Sequence, residues 1–221
     1  SDLDPSLRCA VIFAHGEHFT AGLDLVELQP KLTAGVFDFP ASQINPWGTS
    51  SRPRTKPVVV AVQGFCFTAG IELMLNADVA IAHANTQFAQ MEVQRGILPF
   101  GGATVRFVQA AGWNKAMRYL LTGDSFNAQV ALDLNLITEV VEASTPNAAL
   151  ERALSLAESI AQAAPLAVQA TLASAQQAVQ HGADYAFAHL QEHLSPLLKT
   201  QDVQEGVMAM LQRRPAQFKG Q

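Results

Sequence analysis

Short apolar runs alternate with amphipathic stretches through the first two thirds of the chain, and then the alternation stops. Residues 9–14, 57–63, 79–83 (VAIAH) and 137–141 (ITEVV) are brief, partly β-branched and bounded by turn formers, which predicts buried strands. Between them GIELMLNA, GGATVRFVQAAG and NKAMRYLLTG read as helices. A strand–helix–strand rhythm of this kind predicts an α/β architecture with mainly parallel pairing. From about residue 146 only helical spacing remains: Leu150, Leu154, Ala157 and Ala161 form one stripe, and Val203, Val207 and Met210 another. Pro165, His181-Gly182 and Ser195-Pro196 are the expected breaks. The pattern therefore divides the chain into an α/β core, residues 1–142, and a helical region, residues 143–221, whose stripes predict core or subunit packing.

Residues 29–56 fit neither pattern. The stretch holds four prolines, Trp47 and a basic cluster, and long connections in compact domains are often lids or binding loops. Disorder is the rival reading, against which Phe37, Phe39, Ile44 and Trp47 give the segment something to bury.

One local pattern occurs twice. FTAGLDL (19–25) and FTAGIEL (67–73) differ only by Leu/Ile and Asp/Glu exchanges, and each follows an apolar run. Glycine in a strand-to-helix turn permits conformations that other residues resist. The first amides of a helix lack intrahelical acceptors and carry partial positive charge. Two such turns side by side could aim the amides of Ala21 and Ala69 at a single oxygen, with Gly22 and Gly70 easing the turns. Internal duplication for packing explains the heptads equally well, and both readings stand at this point. Taken alone, Glu72, in the first turn after Ala69, and Glu92, in the polar stretch TQFAQMEVQRGI, each read as a solvated surface charge; together they are candidate acid and base. Two carboxyls converging on one pocket would push their pKa values apart.

Composition narrows the chemistry. Fourteen Lys/Arg against nineteen Asp/Glu give a formal charge of −5, with no long basic block, which disfavours a nucleic-acid surface. Arg213 and Arg214 with Lys219 read first as a solvated helix terminus, though they would also suit a single phosphorylated ligand. No apolar stretch approaches the ~18 residues of a membrane span, and SDLDPSLR does not resemble a signal peptide. Two cysteines, Cys9 and Cys66, predict reduced thiols in an intracellular, cytoplasmic protein, and Cys66 reads as a buried inert thiol. The sequence contains no CxxC and no HExxH, so it offers no metal-ligand spacing.

The ordered motifs HFTAGLDL, KPVVVAVQGFCFTAGIELMLNADVAIAHANTQFAQMEVQRGILPFGGAT, LLTGDSFNAQVALDLNLITEVV and QDVQEGVMAMLQRRPAQFKG together resemble the crotonase (enoyl-CoA hydratase/isomerase) superfamily over essentially the whole chain. The resemblance implies a spiral of ββα repeats with a C-terminal helical trimerisation region, the family's N-terminal strands and first helix being absent from this chain. It implies an enoyl-CoA hydratase, a hydro-lyase giving a 3-hydroxyacyl-CoA, with enoyl-CoA isomerase, another crotonase-fold reaction or non-catalytic acyl-CoA binding as alternatives. By the same resemblance the backbone amides of Ala21 and Ala69 hold the thioester oxygen. Glu72 would activate water and Glu92 deliver the proton to the α-carbon. Substrate contacts fall on Thr20, Gly22, Asp24, Leu25, Thr68, Phe100 and Gly101, and coenzyme A contacts on Met210 and Arg213. Phe100 stands where hydratases commonly have glycine, and Met210 where the family has an aromatic residue. No cofactor is implied, coenzyme A being part of the substrate. The expected assembly is a homotrimer or a dimer of trimers.

Overall fold

A computed structural model describes residues 2–34, 39–50, 52–142 and 144–221. Its contacts divide the chain into two compact units, the larger comprising residues 11–53 and 58–154 and the smaller residues 1–10, 54–57 and 155–221.

The larger unit is α/β. β1 (Ala10–Ile12) leads into it; α1 (Leu25–Thr33), β2 (Val58–Val62), β3 (Phe65–Phe67), α2 (Ala69–Leu75), β4 (Val79–His83) and β5 (Gln87–Ala89) follow. A 3-10 turn (Glu92–Arg95), α3 (Ala103–Ala111), α4 (Trp113–Leu120), β6 (Phe126–Asn127), α5 (Ala128–Asp133) and β7 (Glu139–Val141) complete the alternation. One sheet has the order β1-β2-β4-β7, with β2 and β4 parallel, Val59 opposite Val79, and β4 and β7 parallel, Ile81 opposite Glu139. These are the four runs that the apolar pattern marked as strands. Val59, Val60 and Val62 of β2 and Ile81 of β4 are inaccessible to solvent, as befits continuous apolar runs in parallel strands covered on both faces. Each such side chain contributes ~1.5–3 kcal/mol by leaving water.

The second sheet, β3-β5-β6, was not anticipated as a sheet. Residues 86–97 read as a polar loop, yet β5 runs parallel to β3 and antiparallel to β6. Phe88 supplies the reason: it is completely buried and stacks on Phe126, with ring centroids 5.5 Å apart. A three-residue strand with one apolar side chain carries too little periodicity to be seen before its partners are known. Two helix ends follow local rules. Asn127 accepts from the Val130 amide at 2.9 Å to cap α5, and Gly112, at φ 77°, separates α3 from α4.

α6 (Ala148–Gln162) runs from the larger unit into the smaller. Its buried stripe is Ala149, Ala153 and Ala157, whereas Leu154, placed on the expected stripe, is exposed. The smaller unit contains α7 (Pro165–His181), α8 (Ala183–Leu197) and α9 (Gln201–Gln212). Pro165 occupies the first turn of α7, where its missing N–H costs nothing. Gly182 breaks α7 from α8, but Ser195-Pro196 does not end α8, which runs one residue past the proline. Arg8 donates to the carbonyls of Ala161 and Phe218 at 2.8 and 2.6 Å, and buried Asp202 accepts from the amides of Lys219 and Gly220. No described helix is long and apolar enough to cross a membrane.

Candidate active site

The repeated heptads lie side by side. Thr20 donates its amide to the Phe65 carbonyl at 2.9 Å and accepts from the Phe67 amide at 3.0 Å, forming a parallel bridge opposite Cys66. This stagger brings each turn's glycine against the other turn's threonine. A methyl group on Gly22 would stand 2.2 Å from the Thr68 hydroxyl, and one on Gly70 would stand 2.4 Å from the Thr20 methyl. Gly22 has φ 109°, and Thr68 itself adopts φ 50°, a strained backbone for a β-branched residue. Both turns then deliver an alanine to the same cavity of about 130 Å³, whose wall includes Ala21, Ala69, Glu72 and Glu92. Among the described residues neither the Ala21 nor the Ala69 amide has a protein acceptor.

Glu72 points inward from α2 and is 2 % exposed. Its Oε1 accepts from the amides of Gly101 and Ala103, at 2.8 and 3.0 Å, at the start of α3. Burial raises its pKa, opposed by those amides, by the Gly102 amide and by the Arg106 charge. Glu92 opens the 3-10 turn directly after β5 and is 5 % exposed. Burial pushes it up to about 7, its own amide opposes the shift, and the neighbouring Glu72 charge adds to it. The two acids thus share a cavity in unequal settings: Glu72 is held by donors and a cation, whereas the Glu92 pKa is raised to about 7 by burial and by the Glu72 charge.

A second layer holds these groups. Gln90 is completely buried; turned with its nitrogen toward Glu92, it donates to both carboxylate oxygens at 2.9 Å. Trp47 donates its indole N–H to the Ala69 carbonyl at 2.9 Å, and Arg106 donates to the carbonyls of Trp47 and Gly48 at 2.7 and 3.1 Å. Asn45, also buried, bonds Thr49 and Ser50, and Asn76 ties Pro46 to α2. Residues 45–49 of the long connection therefore brace α2 and α3, whereas residues 29–33 belong to α1. Phe37 lies outside the described residues. Arg106 had no recognisable sequence signal, and Trp47 stood out only as a residue for the long connection to bury. For Gln90, alternation through QFAQ was the one clue.

The remaining predicted contacts separate. Leu25, Thr68 and Phe100 line the cavity, Phe100 being 36 % exposed, and Gly101 serves through its amide. Thr20 accepts from the Gly22 amide at 3.1 Å, so its hydroxyl shapes the turn. Asp24 accepts from the amides of Val26 and Glu27 and caps α1. Met210 lies on α9 in the smaller unit, 71 % exposed, and Arg213 caps that helix with φ 52°. Cys66 is completely buried, and its desolvation raises the thiol pKa far above the usual range, which leaves it inert.

Gly101 supplies a sensitive probe of this geometry. A methyl group there would stand 2.6 Å from Glu72 Oε2 and 2.8 Å from Trp47, without backbone strain of its own. Gly101→Ala is expected to displace the Glu72 carboxyl and cost ~10²-fold in kcat, the usual effect of a misplaced reacting group. Its stability loss should stay within ~1–3 kcal/mol, measurable by urea denaturation alongside the kinetics.

A family model described as enoyl-CoA hydratase/isomerase matches residues 1–221. The chain is 33% identical over 217 residues to 2,3-dehydroadipyl-CoA hydratase of Escherichia coli, covering 98% of this chain and 83% of that protein. It is 35% identical over 224 residues to (E)-benzylidenesuccinyl-CoA hydratase of Thauera aromatica, again covering 98% and 83%. Among solved structures, a probable enoyl-CoA hydratase/isomerase from Mycobacterium abscessus superposes with a TM-score of 0.95 at 43% identity, covering 100% of this chain and 84% of that one.

Proposed function

Because the chain belongs to the enoyl-CoA hydratase/isomerase family, we propose that it adds water across the 2,3 double bond of a 2-enoyl-CoA, giving a 3-hydroxyacyl-CoA. The observation that carries this reading is the pair of buried carboxyls, Glu72 and Glu92, on one cavity with unequal surroundings.

The chemistry follows from three needs. Glu72, whose carboxylate accepts from the amides at the start of α3, takes a proton from water as the water oxygen bonds to C3. The π electrons move through C2 to the thioester oxygen, which the Ala21 and Ala69 amides stabilise as negative charge develops. Glu92 gives its proton to C2, the thioester carbonyl reforms, and the resting state returns as Glu72 releases its proton to solvent and Glu92 takes one up. Hydrogen-bond donors already in place cost no reorganisation as the charge appears, which is why the interlocked turns matter. No metal or redox cofactor enters this reading. On the smaller unit, Met210 and Arg213 are assigned to coenzyme A. The exposed Phe187, Met210 and Leu211 support subunit contacts in a trimer or a pair of trimers.

The direct test is incubation with a short 2-enoyl-CoA, following loss of conjugated absorbance and appearance of the 3-hydroxy ester. The pH profile adds a sign. Glu92 acts as the protonated form, so kcat/KM for hydration should fall as pH rises through about 7. A shift of the double bond without uptake of water would assign the site to isomerisation instead.

A further inference from the structure

Arg95 ends the 3-10 turn that Glu92 begins, so the same short stretch of backbone places a cation beside the acid in the cavity wall. The same cavity is lined by the apolar Leu25, Met91, Ile97 and Phe100 as well as by the two acids. The side chain is exposed, and among the described residues it makes no hydrogen bond or ion pair. Other arginines of this unit are committed. Arg106 bonds the carbonyls of Trp47 and Gly48, Arg118 pairs with Asp124, and Arg152 pairs with Glu139. Nor is Arg95 needed by the catalytic acids, since the cation acting on Glu72 is Arg106 and the outside charge acting on Glu92 is that of Glu72.

A cation in the wall of a cavity that already holds two acids favours a ligand bringing a further negative charge. Without it those acids would repel such a ligand, and a guanidinium fork matches the two oxygens of a carboxylate. In an acyl-CoA the phosphates lie at the far end of the pantetheine arm from the thioester. A cation sharing one small cavity with the proposed oxyanion amides and both acids is therefore on the acyl side. We propose that Arg95 receives a carboxylate carried by the acyl group, so that the substrate class is a short 2-enoyl-CoA with an anionic tail. This rests on the acyl-CoA reading above, but not on which reaction follows binding.

The test uses saturated esters, which cannot be hydrated. Calorimetry on the whole chain should show glutaryl-CoA binding at least tenfold more tightly than pentanoyl-CoA. Arg95→Gln should abolish that preference while leaving pentanoyl-CoA and free coenzyme A within about threefold of the wild-type values. Arg95→Lys should restore part of it. Equal binding of the two esters by the wild type overturns the proposal. So does an equal loss of all three ligands in Arg95→Gln, which would assign the guanidinium to coenzyme A phosphates. A glutaryl preference that depends on Arg95, in a protein that hydrates no enoyl-CoA, would uphold this inference and remove the hydratase reading.

Discussion

Glu72→Gln and Glu92→Gln are each expected to lower kcat for hydration by ~10²–10⁴-fold, the usual contribution of a positioned acid or base. Glutamine keeps the volume of each side chain and removes only its ability to exchange a proton. In Glu72→Gln the amide oxygen can still accept from Gly101 and Ala103, so folding should be little affected. Glu92→Gln should behave differently in stability. Glu92 has a folded pKa of about 7, above its ordinary 4.5, so the fold favours the protonated carboxyl. That contribution is fully present below about 4.5 and is lost as pH rises through about 7, where a buried charge must be carried. The Glu92→Gln protein, which never carries the charge, should melt above the wild type at pH 8 but not at pH 5. Unchanged hydration in both variants would sink the two-carboxyl mechanism, whatever the melting curves show.

Gly22→Ala is expected to be strongly destabilising. It would force alanine into φ 109° and drive its Cβ to 2.2 Å from the Thr68 hydroxyl. Backbone strain contributes ~1–3 kcal/mol and the overlap a similar ~1–3 kcal/mol, together a large share of the 5–15 kcal/mol typical of a folded domain. Urea denaturation reads the loss. Because two turns interlock, the effect should not be additive with a change across the interface. Thr68→Gly removes the obstructing hydroxyl and relieves the strained φ of 50°, so the double variant should recover the overlap part of the loss. Full additivity in that cycle would show that the two heptads do not brace one another.

The stagger between the heptads bears on the two readings the sequence left open, an amide pair and simple duplication. Packing is part of the answer, since each glycine is required by the other turn's threonine. The same packing brings Ala21 and Ala69 to one cavity. The two readings are thus not rivals, because the contact that braces the turns also brings both alanines to the cavity.

What could be read before folding was local. The β2, β4 and β7 runs, the glycine turns, the break at Pro165 and the adjacency of Glu72 to Ala69 all depend on residues within a few positions of one another, where steric and hydrogen-bonding preferences act directly. Tertiary structure decided the rest. β5 exists because Phe88 meets Phe126, 38 positions later, and Leu154 stays exposed because small alanines occupy the packed stripe of α6. That converging carboxyls would differ was expected from the sequence, but the causes were not legible, since Glu72 and Glu92 differ through burial, the amides at the start of α3, Arg106 and each other. Desolvation and charge interactions depend on distance in space, and a linear sequence does not state which distant groups will share a cavity.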